Sequence, residues 1–223
     1  QNLNAGKLGL TVAMDNPEAR ELILDLVRWA DVVCESFSPK AMAGWNLTYE
    51  DLKKVNPDVI MTSSCLFGQD GPMSHLAGFG TMGASMSGFY EMTGWPDRGP
   101  IAPWIAYTDT IAPRFISALL SAALDHRRRT GEGCFIDVAQ IETALHFLAP
   151  ELLDLQANGH LATRTGNRSV YAAPQSCYPC AGEDNWCAIA VDTDQQWQAL
   201  CNTLNRSDWA NDAALADNPG RLR

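Results

Sequence analysis

The chain has 223 residues, of which 46% are hydrophobic, and a formal net charge of −10. That length supports one large domain or two small ones, and ordinary counts of Gly (17) and Pro (12) exclude a disordered composition. The acidic balance argues against a nucleic-acid partner, which calls for a basic patch, and against docking on an anionic membrane. A local basic pocket for a phosphate-bearing ligand stays open.

In chain order, "LGLTVAM" (8–14) reads as a short strand. "NPEARELILDLVRWA" (16–30) reads as a helix capped by Asn16, with Pro17 in the first helical position and Ala19, Leu22, Ile23, Leu26, Val27 and Ala30 as its apolar face. "DVVCESF" (31–37) is a strand, "TYEDLKKV" (48–55) a helix with a Thr48–Asp51 capping box, and "DVIMTSSC" (58–65) the next strand. This alternation predicts an α/β unit with a parallel sheet. Right-handed crossovers put the loops beginning at Ser36 and Ser64 on one rim, where open sheets bind ligands.

A Gly-rich loop follows at 66–80, then a small-residue helix at 81–94 suited to close backbone approach, then a Pro-rich irregular stretch at 95–104. Pro113 suits the first turn of a helix running to about His126. Its apolar positions cover nearly all sides, which predicts burial between layers. "CFIDVA" (134–139) is a strand, and the helix at 140–156 should bend or break at Pro150. A polar crossover at 157–175 leads to a hairpin, "SCYPCAGEDNWCAIAV", with its turn at Gly182–Asn185, and to a helix at 192–204. The expected fold is α/β: a Rossmann-like parallel-sheet large domain, in part, over 1–164, and the start of a small α+β domain over 165–223.

The seven cysteines are odd in number and lie mostly in apolar runs, which predicts buried thiols in a reducing compartment. One close pair, Cys177 and Cys180, is a weak metal signal, and no metal site is expected. The chain has neither a signal peptide nor an 18-residue apolar run, so a cytoplasmic protein is expected. It begins without methionine and stops just after a helix-like stretch, as a fragment of a longer protein would.

Asp109 stands between Thr108 and Thr110 at or just before a predicted helix start. Two readings fit. It is an N-cap, or it is a carboxylate nucleophile or base on the ligand rim, kept charged by helix-end amides. "FGQDGP" (67–72) is either a tight turn or a loop whose amides meet a ligand carbonyl or an oxyanion. His126 and Arg127–Arg129 read as a solvated helix end, His75 as a surface loop residue or a base, and His146 as packed on an apolar face. Lys7 binds phosphate or faces water.

Five stretches together, "GKLGLTVAMDNPEAR", "ADVVCESFSP", "LTYEDLKKVNPDVIMTSSCLFGQDGP", "GFGTMGASMSGFYEMTGWPD" and "YTD…ALDHRRRTGEGCFIDVAQIE", resemble the class III coenzyme A transferases, the CaiB/BaiF or formyl-CoA transferase family. The resemblance runs from about residue 3 to 160 and more loosely through "GNRSVYAAPQSCYPCAGEDNWCAIAV". It implies that Asp109 is the nucleophile. It implies contacts to acyl-CoA from Lys7 near the phosphates, from Gly68, Gln69 and Gly71 in the loop, from Phe79 beside the thioester, and from Tyr107. Coenzyme A and acyl-CoA would be substrates alongside a carboxylic acid, with no tightly bound cofactor. The intact protein would be an interlocked homodimer. Three departures stand out. Ser38 replaces the arginine of the family's E-N-F-R-P-G stretch, with Lys40 close enough to substitute. Gly80 replaces an acidic residue. The family's glycine run is missing from 157–223. The resemblance leaves two alternatives: an α-methylacyl-CoA racemase, whose base would stand where Phe79 is, and a non-catalytic CoA-binding fragment.

Overall fold

The computed structural model describes residues 2–223. In chain order its elements are α1 (Pro17–Trp29), β1 (Val32–Glu35), α2 (Pro39–Gly44), α3 (Tyr49–Lys53), β2 (Ile60–Cys65), α4 (Gly80–Met86), α5 (Phe89–Met92), α6 (Tyr107–Thr130), β3 (Phe135–Ala139), α7 (Gln140–Leu145), α8 (Ala149–Asn158), β4 (Gln175–Pro179), β5 (Trp186–Ala190), α9 (Asp194–Thr203), α10 (Ser207–Ala210) and α11 (Asn218–Arg221). They gather into two units. One holds the chain through Gly88 together with Pro103–His160; the other holds Phe89–Ala102 and Leu161–Arg223.

The first unit is built on a parallel sheet in the order β1-β2-β3. Val32 pairs with Ile60, and Met61 with Phe135. β2 is central and buried on both faces, and a continuous apolar or small-residue run suits that position. Leu24, Val27, Leu47, Leu52, Val59 and Met61 form its core cluster, each side chain contributing roughly 1.5–3 kcal/mol when removed from water. Because the strands are parallel, their C-terminal ends at Glu35, Cys65 and Ala139 share one rim.

Local signals explain most of these elements. Asn16 accepts from the Glu18 amide at 3.0 Å and caps α1, with Pro17 behind it. The buried line on α1 runs through Ala19, Leu24 and Val27, while Leu22 and Leu26 are exposed, which corrects the expected face. Arg20 lies on that buried line, and its guanidinium donates to the Asn46 carbonyl at 3.1 Å. A cation there hides the stripe from a purely apolar reading.

Thr48 and Asp51 form a full capping box on α3. The Lys54 ammonium, then the Thr48 hydroxyl, hold the Asp51 carboxyl at about 2 against an ordinary 3.8. A carboxyl lowered on folding contributes stability above its unfolded value and loses it as the pH falls through the folded one. Thr48→Ala is expected to cost about 1 kcal/mol at pH 7. It should also flatten the loss of stability between about pH 4 and pH 2, as read by urea unfolding across that window.

β3 is entered through Gly131, whose left-handed conformation (φ 77°) closes α6, and Gly133. A Cβ on Gly133 would lie 2.2 Å from the Val59 carbonyl oxygen, and backbone cannot yield as a side chain tip does. Gly133→Ala should therefore destabilise by about 3 kcal/mol, at the upper end of overpacking costs, measured as a fall in denaturant midpoint.

Several expectations need correction. Residues 8–14 form no strand: Leu8 is 99% exposed and Leu10 is exposed as well, and no strand among the described residues pairs with them. Without a neighbour to take its amides and carbonyls, an extended segment gains nothing from being a strand. The small-residue helix divides into α4 and α5 at Gly88, where φ is 105°. α6 begins six residues before Pro113, which sits inside it. It is not buried all round, since Leu119 and Leu124 are exposed. At 24 residues it is about 36 Å long, well beyond the roughly 20 Å of β2. Arg127 is not part of a solvated face. Its guanidinium reaches the Asp31 carboxylate at 2.6 Å and the Asp31 carbonyl at 3.0 Å. The break before Pro150 falls at His146–Leu148, a short 3₁₀ segment between α7 and α8. His146 stacks on Phe115 at 5.3 Å yet is exposed. Of the seven cysteines only Cys201 is buried, because the others lie on strand faces, edges or turns that this chain leaves open.

In the second unit β4 and β5 form an antiparallel hairpin, with Tyr178 opposite Cys187. α9 is capped by a Thr193–Gln196 box. Val191, Trp197 and Cys201 make a small core, with Trp197 stacked on Trp209. The Phe89–Ala102 segment is tied in by the Gly166 amide donating to the Gly94 carbonyl at 2.8 Å and by an Arg164–Glu91 ion pair at 2.6 Å. Among the described residues no helix is long and apolar enough to cross a membrane.

Candidate active site

The sheet's C-terminal rim carries a cleft of about 590 Å³, within the range of small-molecule sites. Its walls are Ser36–Lys40 after β1, Ser64–Leu66 at the end of β2, Ser74–Phe79 before α4, Gln140 after β3, and Asp109. Crossover geometry brings these distant stretches together, as in other open parallel sheets.

Asp109 is the third residue of α6, in its first turn. The cap position is Ala106, with no side-chain capping bond. Neither neighbouring hydroxyl caps the helix. Thr110 donates back to the Ala106 carbonyl at 3.2 Å. Thr108 is fully buried and donates to Gln140 Oε1 at 2.9 Å, with the Gly80 carbonyl at 3.3 Å. The capping account of this triplet therefore falls. Asp109 is exposed, and among the described residues nothing hydrogen-bonds to its carboxylate. The first turn of a 24-residue helix favours negative charge there.

α4 lies directly against this turn. A Cβ on Gly80 would be 2.7 Å from Asp109 Cγ, and one on Gly83 would be 2.7 Å from Thr108 Oγ1. Only glycine lets the two helix starts meet, which accounts for the small residues of "GTMGASM".

Of the residues singled out from sequence, Asp109, Phe79, Ser38 and Lys40 share the cleft. Phe79 is 77% exposed at the start of α4. Ser38 precedes α2 without making a capping bond, and Lys40 is exposed. The others lie elsewhere. Lys7 is exposed and donates to Asn4 Oδ1 at 3.0 Å. Gly68 is buried against Asp137, and the Gln69 amide donates to Asp137 Oδ2 at 2.8 Å. The Gln69 side chain lines a smaller hollow of about 300 Å³ beside Tyr49 and Phe135. Gly71 is exposed, with φ 91°. Tyr107 opens α6 outside the cleft lining.

Sequence reasoning missed Gln140 as a wall and left His75 as a surface residue. His75 and Lys40 are the basic side chains lining the cleft. Cys65 lines it too, and burial, followed by the Asp137 carboxylate, pushes its thiol up. A protonated thiol is a poor nucleophile. Glu35 sits beneath the rim and accepts from the Phe37 amide at 2.6 Å, fixing the turn after β1. A second cleft, about 540 Å³ along β4 and β5, is lined by Arg168 and Cys177 and holds no carboxylate. Among the described residues no group of three or more His, Cys, Asp or Glu is placed to hold a metal ion.

Comparison with known proteins places the chain in a family. The chain is 33% identical over 219 residues to the succinyl-CoA–D-citramalate CoA-transferase of Chloroflexus aurantiacus and 35% identical to the succinate–glutarate CoA-transferase of Agrobacterium fabrum, covering 98% of itself and 54% of each. It spans about half the length of the curated relatives it matches. A crystal structure of a CAIB/BAIF family protein from Brucella suis superposes with a TM-score of 0.87 at 33% identity, over 98% of this chain and 57% of that one. The profile of CoA-transferase family III matches residues 1–223. With its parallel-sheet rim, its glycine-packed helix starts and its sequence kinship, the chain belongs to CoA-transferase family III.

Proposed function

We propose that the intact gene product transfers coenzyme A from an acyl-CoA donor to a carboxylic acid, with Asp109 as the covalent nucleophile. The observation that carries this reading is an exposed carboxylate, without a hydrogen bond from the described residues, lining a rim cleft in a family whose named relatives are CoA-transferases.

The steps balance as follows. An Asp109 carboxylate oxygen attacks the thioester carbon, a C–O bond forms, and the carbonyl pair moves onto oxygen. That pair returns as the C–S bond breaks, giving a mixed anhydride and CoA thiolate. The thiolate attacks the aspartyl carbon and expels the donor acid, leaving an aspartyl-CoA thioester. An acceptor carboxylate then attacks this thioester and releases the thiolate. The thiolate takes the new acyl group and frees Asp109. No net proton is consumed, so the site needs a charged nucleophile rather than a general base.

The names of the two relatives pair CoA with succinate, glutarate and citramalate, all short dicarboxylic acids. Lys40 and His75 give the cleft cationic capacity for such acids or for CoA phosphate. We assign the acceptor to that class. Exposed Leu8, Trp29, Trp104 and Tyr171 suit burial in the homodimer that the family resemblance implies, and the odd number of cysteines suits a reducing cytoplasm.

The test incubates the intact protein with radiolabelled acyl-CoA and hydroxylamine, followed by peptide mapping. A hydroxamate at Asp109 is the expected result. Exchange of the acyl α-proton without trapping would mean racemase chemistry instead. Phe79 offers no base for that reaction at the position where a racemase carries one.

A further inference from the structure

We infer that Gln140 supplies the hydrogen-bond donor for the oxyanion formed when Asp109 attacks the thioester. The inference rests on the proposed role of Asp109. Gln140 opens α7 directly after β3, so the sheet delivers it to the same rim, and its side chain lines the cleft with Asp109.

Its carboxamide is oriented by the protein. Oε1 accepts from the Thr108 hydroxyl at 2.9 Å. Thr108 is itself closely held: fully buried, within 3.3 Å of the Gly80 carbonyl, and packed where Gly83 has no Cβ. With the oxygen end tied down, the Nε2 end points away from Thr108. No acceptor among the described residues takes its hydrogens. Thr108 also precedes Asp109 in the chain, so one rigid support sets both attacker and donor.

Of the rival donors, the loop amides from Gly68 to Gly71, one is already occupied. The Gln69 amide in the Gly-rich loop is committed to Asp137 Oδ2 at 2.8 Å, and the Gln69 side chain reaches toward Cys65 Sγ at 3.7 Å. A neutral donor also suits the chemistry better than a cation would. An ammonium beside Asp109 would pair with the carboxylate and blunt it. A carboxamide stabilises the developing O⁻ without transferring a proton, and the electron pair returns to carbon as the C–S bond breaks.

The experiment compares Gln140→Met, Gln140→Glu, Thr108→Val, Thr108→Ser and Asp109→Asn in the intact gene product. The readouts are kcat and KM for acyl-CoA and the rate of hydroxylamine trapping. Gln140→Met and Gln140→Glu should each lower kcat by about 10²–10³-fold, with trapping slowed in proportion and KM nearly unchanged. Gln140→Glu keeps the oxygen that Thr108 binds and removes the donor, so it decides the matter if the methionine variant folds poorly. Thr108→Val should lower kcat by about tenfold through loss of orientation, and Thr108→Ser should restore it. If Gln140→Met and Gln140→Glu turn over normally while Asp109→Asn is inactive, the donor assignment fails and the nucleophile stands. If Asp109→Asn is active, both fail.

Discussion

Asp109→Asn should lower CoA exchange by on the order of 10⁴-fold or more while leaving the fold intact. The amide has nearly the same shape as the carboxylate and no charge with which to attack. On the proposed mechanism the substitution removes the path and not merely a contact, so the loss should appear in kcat, with acyl-CoA binding retained. Stability should stay within about 0.5 kcal/mol, because Asp109 is exposed and its carboxylate holds no hydrogen bond from the described residues. That separation makes the variant informative. A capping residue would show the reverse pattern, with lower stability and unchanged turnover. Asp109→Glu offers a graded comparison. It keeps the charge and moves it by about one methylene, and a displacement of that size should cost about 10²-fold. Measured turnover of the asparagine variant at the parent rate, with the acyl group still trapped by hydroxylamine elsewhere, would remove Asp109 from the mechanism.

What could be read from the residues follows physical range. Asn16 with Pro17, and Thr48 with Asp51, satisfy backbone donors within three or four positions, so α1 and α3 carry their own start signals. The apolar runs of β1 and β2 mark a two-sided sheet, and the strand-to-loop transitions at Ser36 and Ser64 place the rim, which is where the cleft lies. α6 was misread for the converse reason. Its true cap, Ala106, offers no side-chain oxygen, whereas Thr108, Asp109, Thr110 and Pro113 all look like start signals further along. The segment 8–14 has the texture of a strand but lacks a partner, and partnership is not a local property. Gln140 carries no motif at all. It becomes a wall of the site because β3 carries it to the rim, and its orientation comes from a bond to Thr108, 32 residues away in sequence. Residues 95–102 likewise carry a plain signal for irregular chain, and none for the unit they join.

The second large effect is expected from Gly80→Ala. Adding one methyl group is a small change in composition, but its place is already taken. The new carbon would sit 2.7 Å from Asp109 Cγ, 2.8 Å from Oδ2 and 2.9 Å from the Asp109 backbone nitrogen. The carboxyl group could rotate away; the backbone nitrogen could do so only if α4 and α6 separated at their starts. Either response moves the attacking oxygens, and the second also disturbs Thr108, whose hydroxyl lies between the Gly80 carbonyl and Gln140. A misplacement of about 1 Å is worth about 10²-fold in rate. The accompanying loss of stability should be about 1–3 kcal/mol. The kinetic loss should exceed what the population of unfolded protein explains, which thermal melting and turnover measured on one preparation will show. Met82→Ala, two residues along α4 on a side chain that is already exposed, is the control. It should leave turnover within about twofold of the parent, as exposed substitutions away from special contacts do. Equal losses in the two variants would mean that α4 serves only to hold the fold. A loss confined to Gly80→Ala would place the close approach of the two helix starts at the heart of how Asp109 is aimed.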